Sequence, residues 1–203
     1  MFRAYINKMF LKLISFILFV MLLSACASNS TKPEIVIDKE IVKNKPLIST
    51  AHKAEYDKGL SFLQTKQYDN AQAVFTKLID VYPELTGAYV NLALCYSAQS
   101  NDEEAEKLLG KALQIDPNHI DALIQKAALS QKAGAFKDVE RYLLTANKID
   151  KSNELVQFNL GVLYELYLQQ YDDAIEHYQN YLALTSNSDS DTVKLWIKLL
   201  ERK

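Results

Sequence analysis

The sequence has little of what an enzyme, a metal site or a disulfide-bonded domain needs. Its 203 residues include only two Cys, three His, five Gly and four Pro. A disulfide framework, a metal-ligand cluster and a glycine-rich phosphate loop are therefore not indicated. An excess of one charge is also lacking, because 23 Lys and Arg against 25 Asp and Glu leave a net charge of -2. We expect no enzyme, no bound cofactor and no nucleic-acid partner.

Apolar residues are abundant by contrast. They make up 49% of the chain, and charged residues make up 24%, which is an ordinary globular composition. Such a chain can bury a sizeable core, and disordered or low-complexity classes are excluded. The length indicates one domain or one repeat array.

Residues 1–25 have the pattern of a secretory signal. Arg3, Lys8 and Lys12 precede an apolar run from Leu13 to Leu23, as in the charged and hydrophobic regions of such signals. The run is shorter than the roughly 20 apolar residues of a membrane-spanning helix. An uncleaved membrane anchor is the alternative interpretation.

The end of this run, Leu23-Ser24-Ala25-Cys26, resembles the lipobox of bacterial lipoproteins. The resemblance implies cleavage between Ala25 and Cys26, a diacylglycerol group on the Cys26 sulfur and an N-acyl group on the new amino terminus. Several acyl chains, at ~0.8 kcal/mol per buried methylene, would make attachment effectively permanent. Ala27 stands where an Asp would resemble an inner-membrane retention signal. In a two-membrane organism, the implied location is therefore the outer membrane of the cell envelope, facing the periplasm.

Residues 26–51 differ in composition from what precedes and follows them. They contain Pro33, Pro46 and a stretch rich in Lys and Glu, which is typical of a flexible linker. A short strand at residues 35–37 is the alternative, although an isolated strand is marginal. We interpret this segment as a lipidated linker.

The rest of the sequence repeats with a period of 34 residues. Two series of short side chains show it: Gly59, Ala93, Ala127 and Gly161, and then Ala71, Ala105, Val139 and Ala174. Each unit has two amphipathic stretches separated by a polar turn such as residues 100–102. Two helices approach closely only where side chains are small. The pattern predicts four helical hairpins stacked into an array.

The second of these units, Thr86 to His119, resembles the tetratricopeptide repeat. It has Tyr89, Leu92, Ala93, Tyr96, Ala105, Leu109, Ala112 and Pro117 at the family's pattern positions, with Tyr89 where Trp is common. The resemblance implies an all-α, right-handed superhelical solenoid. We expect repeats at 52–85, 86–119, 120–153 and 154–187, followed by a capping helix within 188–203.

The third and fourth units depart from the family pattern. The third departs at Ser130, Val139 and Lys151, and the fourth has one extra residue between Tyr164 and Tyr171. Their detailed structure is therefore less well determined by the resemblance than that of the second unit.

The resemblance also implies that the first helix of each repeat lines a concave groove that binds a peptide or a helix. The candidate groove residues are Tyr56, Leu60, Leu63, Val90, Asn91, Leu94, Ile124, Ala128, Phe158, Val162 and Leu166. Chaperone-binding members of the family hold a peptide carboxylate with paired Lys and Asn. Here only Asn91 fits that pattern, so we expect an apolar groove for an amphipathic helix or a hydrophobic peptide.

Several occupants of this groove stay open, because large exposed apolar patches are disfavoured. They are a partner protein, the chain's own linker, the helix that carries Trp196, and a second copy of the chain. The function expected is a membrane-anchored scaffold, resembling pilotin-type lipoproteins of pilus-secretin biogenesis. Adaptors for cell-wall hydrolases, outer-membrane barrel assembly and a self-associating structural lipoprotein are the alternatives.

The remaining Cys and the His residues are interpreted as structural. Cys95 lies in an apolar helical stretch and is expected in the core. The three His residues are not spaced as metal ligands. Asp173 and His177 are interpreted as a solvated surface pair at helical i,i+4 spacing.

Overall fold

The computed structural model describes residues 50–185 and 190–203, and in these ranges it contains nine α-helices and no strand. The helices are α1 (Thr50–Gln64), α2 (Tyr68–Val81), α3 (Thr86–Ala98), α4 (Asp102–Ile115), α5 (Ile120–Lys132), α6 (Phe136–Ile149), α7 (Glu154–Leu163), α8 (Tyr171–Leu184) and α9 (Ser190–Leu200). A π-helical segment, Tyr164–Leu168, continues α7. The predicted signal and lipobox lie outside the described residues, as does nearly all of the predicted linker.

The helices form four consecutive hairpins, α1–α2, α3–α4, α5–α6 and α7–α8. Each first helix packs against the second helix of its own hairpin and, from α3 onward, against the second helix of the preceding one. The terminal helix α9 packs against α8. This confirms the predicted all-α solenoid of helical-hairpin repeats. Across the described ranges, none of the helices combines the length and apolar character needed to cross a bilayer.

The turn inside each hairpin has the same backbone conformation. Lys66, Ser100, Gly134 and Gln169 all have positive φ values between 56° and 72°. In the first three hairpins, an N–H donates to a carbonyl five residues earlier, as from Asn101 to Tyr96 at 2.9 Å. A left-handed residue followed by such a bond is a common way to end a helix. The first three turns are therefore structurally equivalent, and the fourth shares their left-handed residue, although glycine occupies that position only in the third.

The extra residue of the fourth unit is absorbed by the π-helical segment. There the corresponding hydrogen bond, from Gln170 N–H to the Tyr164 carbonyl, spans six residues at 2.9 Å. A π-helical turn accommodates one inserted residue without ending the helix. It also places the Tyr167 ring on that of Phe136, with centroids 4.4 Å apart. The insertion therefore adds a contact between the third and fourth repeats.

Two of the three connections between hairpins, after α4 and after α6, are built on an aspartate. Asp116 accepts a hydrogen bond from the Asn118 backbone at 3.0 Å, and Asp150 accepts one from the Ser152 backbone at 2.8 Å. Such Asp-centred turns do not require proline. The third unit can therefore form the same connection with Lys151 at the position that Pro117 occupies in the second.

The predicted core positions are buried. The second series of short side chains is fully buried, and so are the large residues that follow it in each repeat: Phe75, Leu109, Leu143 and Tyr178. Cys95 is also fully buried, and burial raises the pKa of its thiol to about 12. On α9, Val193, Ile197 and Leu200 are buried. That helix therefore closes the core of the fourth repeat.

Candidate functional site

The eleven residues predicted to line a groove lie on the first helices of the four repeats. They belong to α1, α3, α5, α7 and the π-helical segment. We call the surface that they share the inner face.

The structure divides these residues into two groups. Six are at most 5% exposed: Tyr56, Val90, Asn91, Ile124, Ala128 and Val162. The other five are half-buried: Leu60, Leu63, Leu94, Phe158 and Leu166. The sequence analysis predicted that all eleven residues form contact surface. The six residues of the first group are instead buried and cannot contact a partner. The apolar members of this group pack within the core clusters because burial removes their surface from water.

Phe158 belongs to an aromatic cluster at the end of the inner face. Its ring centroid lies 5.2 Å from that of Tyr181 and 6.2 Å from that of Trp196 on α9. Tyr178 also contacts Trp196, at 5.7 Å. Pairs of rings at these distances stabilise packing beyond their buried area. At Phe158 the chain's own terminal helix therefore occupies the neighbouring space.

A buried hydrogen bond connects the first two repeats. Asn91 Nδ2 donates to the Tyr56 hydroxyl at 3.0 Å. Burial is the main reason why the pKa of Tyr56 is raised, and the negative charge of Asp121 adds to the effect. Over residues 50–185 and 190–203, Asn91 Oδ1 is the one buried side-chain polar atom that lacks a hydrogen-bond partner. An unmade bond of this kind costs ~1–3 kcal/mol.

Amide side chains recur at the position of Asn91. Gln125 and Asn159 follow it at intervals of 34 residues, and the three residues are 0%, 4% and 0% exposed. Sequence reasoning named only the first. The signal was present, because a polar residue recurs at one repeat position within otherwise apolar helices. Buried amides of this kind are retained when they have hydrogen bonds to make.

A polar bridge connects the end of α5 with the preceding repeat. Lys132 Nζ donates to Ser97 Oγ and to Asp102 Oδ1, each at 2.8 Å. Ser97 Oγ also donates to Asp102 Oδ1 at 3.1 Å. The ion pair is roughly half exposed, so it stabilises the array by only ~0–1 kcal/mol. It places one positive and one negative charge beside the inner face.

His177 is part of a polar network between α7 and α8. Its Nδ1 lies 2.8 Å from Gln157 Oε1, and its ring stacks on that of Tyr164 at 5.5 Å. Gln157, which is 2% exposed, also donates to Asn147 at 2.8 Å. The interpretation of Asp173 and His177 as a solvated pair was therefore wrong for His177. Packing of α8 on α7 half-buries the ring and turns it toward Gln157.

Within residues 50–185 and 190–203, no group of three or more His, Cys, Asp or Glu residues is arranged to hold a metal ion. Cys95, whose thiol stays protonated at neutral pH because burial raises its pKa to about 12, is poorly suited to nucleophilic chemistry. The half-buried leucines of the inner face can bury apolar surface, and the half-exposed Asp102–Lys132 pair can donate and accept hydrogen bonds. The arrangement is that of a binding surface.

These features define the class of protein: a solenoid of helical-hairpin repeats, a scaffold suited to protein–protein interaction. The first, second and fourth hairpins match family models described as tetratricopeptide repeat, at residues 53–84, 87–119 and 155–188. The hairpin α5–α6 lies in the unmatched range between them. That range is the unit whose sequence departs from the pattern at Ser130, Val139 and Lys151.

Relatives and solved structures agree with this assignment. Mitochondrial import receptor subunit TOM70 of Saccharomyces cerevisiae is 26% identical over 100 residues, which are 47% of this chain and 16% of TOM70. TPR repeat-containing protein YpiA of Bacillus subtilis is 27% identical over 150 residues, which are 69% of this chain and 34% of YpiA. The chain thus spans about a third or less of either relative. The crystal structure of MamA has a TM-score of 0.59, 16% identity and coverage of 76% of this chain and 83% of MamA, and it shows the same fold.

Proposed function

We propose that this chain is a lipid-anchored adaptor of the bacterial cell envelope that holds a protein partner on its inner face. The observation that carries the proposal is a set of half-buried leucines on neighbouring first helices. Leu60 and Leu63 lie on α1 and Leu94 lies on α3. A hydrophobic peptide or the apolar side of an amphipathic helix would cover their remaining surface, and that burial would drive binding.

Polar groups beside these leucines would orient the partner. Asp102 and Lys132 form a half-exposed ion pair next to the inner face. Charges at the rim of an interface contribute more to register and encounter than to affinity. The absence of paired Lys and Asn residues at the clamp positions favours an apolar partner segment over a terminal carboxylate.

The membrane attachment in this proposal depends on the lipobox-like sequence that ends at Cys26. Diacylglycerol on the thiol and an N-acyl group would hold the array at a membrane. Replacing Cys26 by Ser should leave an unprocessed precursor without acyl label, whereas Cys95→Ser, a buried control, should be labelled normally. Acyl labelling that persists in the Cys26→Ser variant would contradict the anchor.

Among envelope pathways we favour pilus-secretin biogenesis, by analogy with pilotin-type lipoproteins. Outer-membrane barrel assembly and adaptors for cell-wall hydrolases are the alternatives. TOM70 is named as an import receptor subunit, and its likeness to this chain supports a role in polypeptide binding. The proposal includes no catalytic activity and no cofactor other than the covalent lipid.

Capture of partners from envelope membranes tests the inner face directly. We expect the double variant Leu63→Glu, Leu94→Glu to lose partners that the wild-type chain crosslinks. Val81→Glu is the matched control, because Val81 is an exposed apolar residue at the end of α2, away from the inner face. Equal capture by both variants would remove the inner face from the proposal.

Self-association is a second candidate, and a different surface favours it. Leu195 and Leu199 are 55% and 48% exposed and lie one turn apart on α9. A second copy could cover them. Light scattering over a range of concentrations should then show a dimer that Leu195→Glu with Leu199→Glu abolishes. A concentration-independent monomer would exclude this candidate.

A further inference from the structure

We propose that α9 takes the place of a fifth first helix and extends the inner face, so that Leu195 and Leu199 bind an apolar partner segment that carries acidic residues. This inference rests on the proposed function, because it adds a second contact for the same partner. It also assigns a charge to that partner.

The buried residues of α9 have the spacing of those on an earlier first helix. Three residues of α7 are fully buried: Val156, Leu160 and Leu163. Three residues of α9 lie 37 positions later and are at most 8% exposed: Val193, Ile197 and Leu200. α9 packs against α8, just as α7 packs against α6. In this arrangement α9 occupies the position of a first helix.

Contacts between neighbouring first helices give the same register. Asn91 on α3 donates a hydrogen bond to the Tyr56 hydroxyl on α1 at 3.0 Å. Trp196 on α9 contacts Phe158 on α7, with ring centroids 6.2 Å apart. Phe158 lies three 34-residue periods after Tyr56, and Trp196 holds the position of Asn91 in the register that the buried residues define. Core packing and the contacts along the inner face therefore agree.

This register places two leucines of α9 on the inner face. Leu195 and Leu199 lie 37 residues after Phe158 and Val162, two of the residues predicted to line the groove. Phe158 is half-buried and Val162 is fully buried, whereas Leu195 is 55% exposed and Leu199 is 48% exposed. The inner face therefore continues onto α9 with two accessible apolar side chains.

These leucines differ from the other exposed large apolar residues of the described ranges. Val81, Ile149 and Leu184 occur one to a helix, each as the last residue of a second helix. Leu195 and Leu199 are instead a pair one turn apart on the same side of one helix. The end of a repeat array normally presents a polar outer face. This apolar pair is therefore a candidate contact surface.

A basic side of α9 borders the two leucines. Lys194 and Lys198 hold the positions of Gln157 and Gly161, which contact α8 in the fourth hairpin. Lys194 forms an ion pair with Asp191 at 2.9 Å. None of the ion pairs in the described ranges includes Lys198. An acidic residue of a bound segment would supply the counter-charge for Lys198.

The charge balance of this end is opposite to that of the rest of the array. Residues 190–203 contain four basic and two acidic residues, whereas residues 50–185 contain 12 basic and 19 acidic residues. Complementary charge at the rim of an interface selects the partner and its orientation. The part of the partner that covers α9 is therefore acidic as well as apolar.

A second copy of the chain is a less favourable occupant. A two-fold contact brings the same side of both helices together, because it is self-complementary. Through Leu195 and Leu199, such a contact would bring Lys194 and Lys198 of one copy beside the same two lysines of the other. Like charges at this spacing repel, so an acidic partner segment is favoured over α9 of a second copy.

Fluorescence of Trp196 tests the proposal, because it is the single Trp of the chain and lies on α9 next to Leu195. We would titrate the full-length chain in lipid nanodiscs with two synthetic amphipathic helices that lack Trp and Tyr. Both peptides have the same leucine face, which is flanked by Glu in one and by Lys in the other. We expect the Glu peptide to shift the emission at a concentration about threefold to tenfold lower.

Variants of α9 separate the two parts of the contact. Leu195→Gln with Leu199→Gln should abolish the shift while circular dichroism stays unchanged. Lys198→Glu should reverse the preference between the two peptides. Lys137→Glu is the matched control, because Lys137 is exposed on α6, and it should leave the preference unchanged.

Three results would overturn the proposal. They are an equal response to both peptides, an unchanged preference in Lys198→Glu, and dimerisation through α9 without any response to peptide. An unresponsive Trp196 together with envelope capture that still depends on Leu63 and Leu94 would overturn the contact on α9 and leave the proposed function intact. Loss of both would remove the proposed function as well.

Discussion

Gly59 lies directly against the ring of Phe75. A Cβ atom added to Gly59 would lie 2.7 Å from Phe75 Cζ, and one added to Gly161 would lie 2.5 Å from Cδ1 of Tyr178. The first and last hairpins thus pair glycine with an aromatic ring. The two central hairpins pair Ala93 with Leu109 and Ala127 with Leu143. The sizes of the two partners compensate so that each helix pair can approach closely.

This relationship predicts coupling between the two positions. Gly59→Ala should lower the free energy of unfolding by ~1–3 kcal/mol, because the ring of Phe75 must move. In a chain that already carries Phe75→Leu, Gly59→Ala should lower the free energy of unfolding by less. The central hairpins pair alanine with leucine at the same two positions, so that combination fits. Urea unfolding of the two single variants and the double variant measures the coupling energy. Strict additivity would show that the two residues do not compete for space.

Gly110→Ala is the control for this cycle. A Cβ atom at Gly110 would have no atom within 4 Å, and the residue lies inside α4. Alanine there should stabilise the protein by ~0.5–1 kcal/mol through helix propensity alone. Destabilisation of both Gly59→Ala and Gly110→Ala to the same extent would remove the steric explanation.

The left-handed turns predict an opposite effect of glycine. Lys66, with φ of 57°, and Ser100, with φ of 63°, adopt a conformation that glycine reaches without a Cβ penalty. Ser100→Gly should therefore stabilise the array by several tenths to about 1 kcal/mol, and Gly134→Ala should destabilise it by about 1 kcal/mol. Thermal unfolding of the two variants checks this pair of opposite shifts. A loss of stability in Ser100→Gly would contradict the account of the turns.

Lys126 occupies a position that leucine fills in two other repeats. Leu92 and Leu160 lie 34 residues before and after it, whereas the Lys126 side chain is 11% exposed and forms an ion pair with Glu106. Lys126→Leu should be neutral or stabilising, by up to ~1–4 kcal/mol. Glu106→Gln should destabilise by ~1–3 kcal/mol, since it leaves a largely buried ammonium without its counter-charge. Chemical denaturation that ranks the two variants in reverse order would contradict this reading.

His119 should make stability depend on pH. Its Nδ1 accepts a hydrogen bond from Ala122 N–H at 3.3 Å, and protonation would remove that acceptor. Burial lowers the pKa of His119 below its ordinary value of 6.5, and the nearby charge of Asp116 only partly opposes this shift. The stability contributed by the neutral ring is present above pH 6.5 and is lost as the pH falls through the lowered pKa.

Burial also lowers the pKa of His177, while Glu176 and Asp173 oppose the shift. Both histidines therefore act in the same direction. We expect the urea concentration at the unfolding midpoint to decrease when the pH is lowered from about 7 to about 5. The decrease should be smaller in the His119→Asn variant, because asparagine keeps a capping oxygen but does not titrate. A midpoint that rises on acidification, or an unchanged slope in the variant, would contradict the assignment.

The fold could be predicted because its packing rule is visible in the sequence. Short side chains at a fixed period, such as Ala93 and Ala105, are required wherever two helices approach closely, so they reveal each hairpin directly. The extra residue of the fourth repeat was also visible. Its π-helical conformation was not predicted, because one insertion can be absorbed in a helix or in a turn with little local difference.

The inner face was predicted less well. A repeat position specifies the side of a helix on which a residue such as Val90 or Ile124 lies. The exposed fraction of that side chain depends on how closely neighbouring repeats pack. The sequence period does not specify this packing. The network of Gln157 and His177 was missed for a similar reason, since its partners lie on different helices. The distinction between buried and half-buried inner-face residues could therefore come only from the structure.

The most direct test of the central claim, that the inner face binds a second polypeptide, is site-specific photocrosslinking in the native envelope. A photoreactive side chain at Leu63, half-buried on the inner face, is compared with one at Val81, which is 55% exposed at the end of α2. We predict a discrete crosslinked species, larger than the chain itself, from position 63 and not from position 81. The absence of such a species at position 63, or equal products from both positions, would contradict the account.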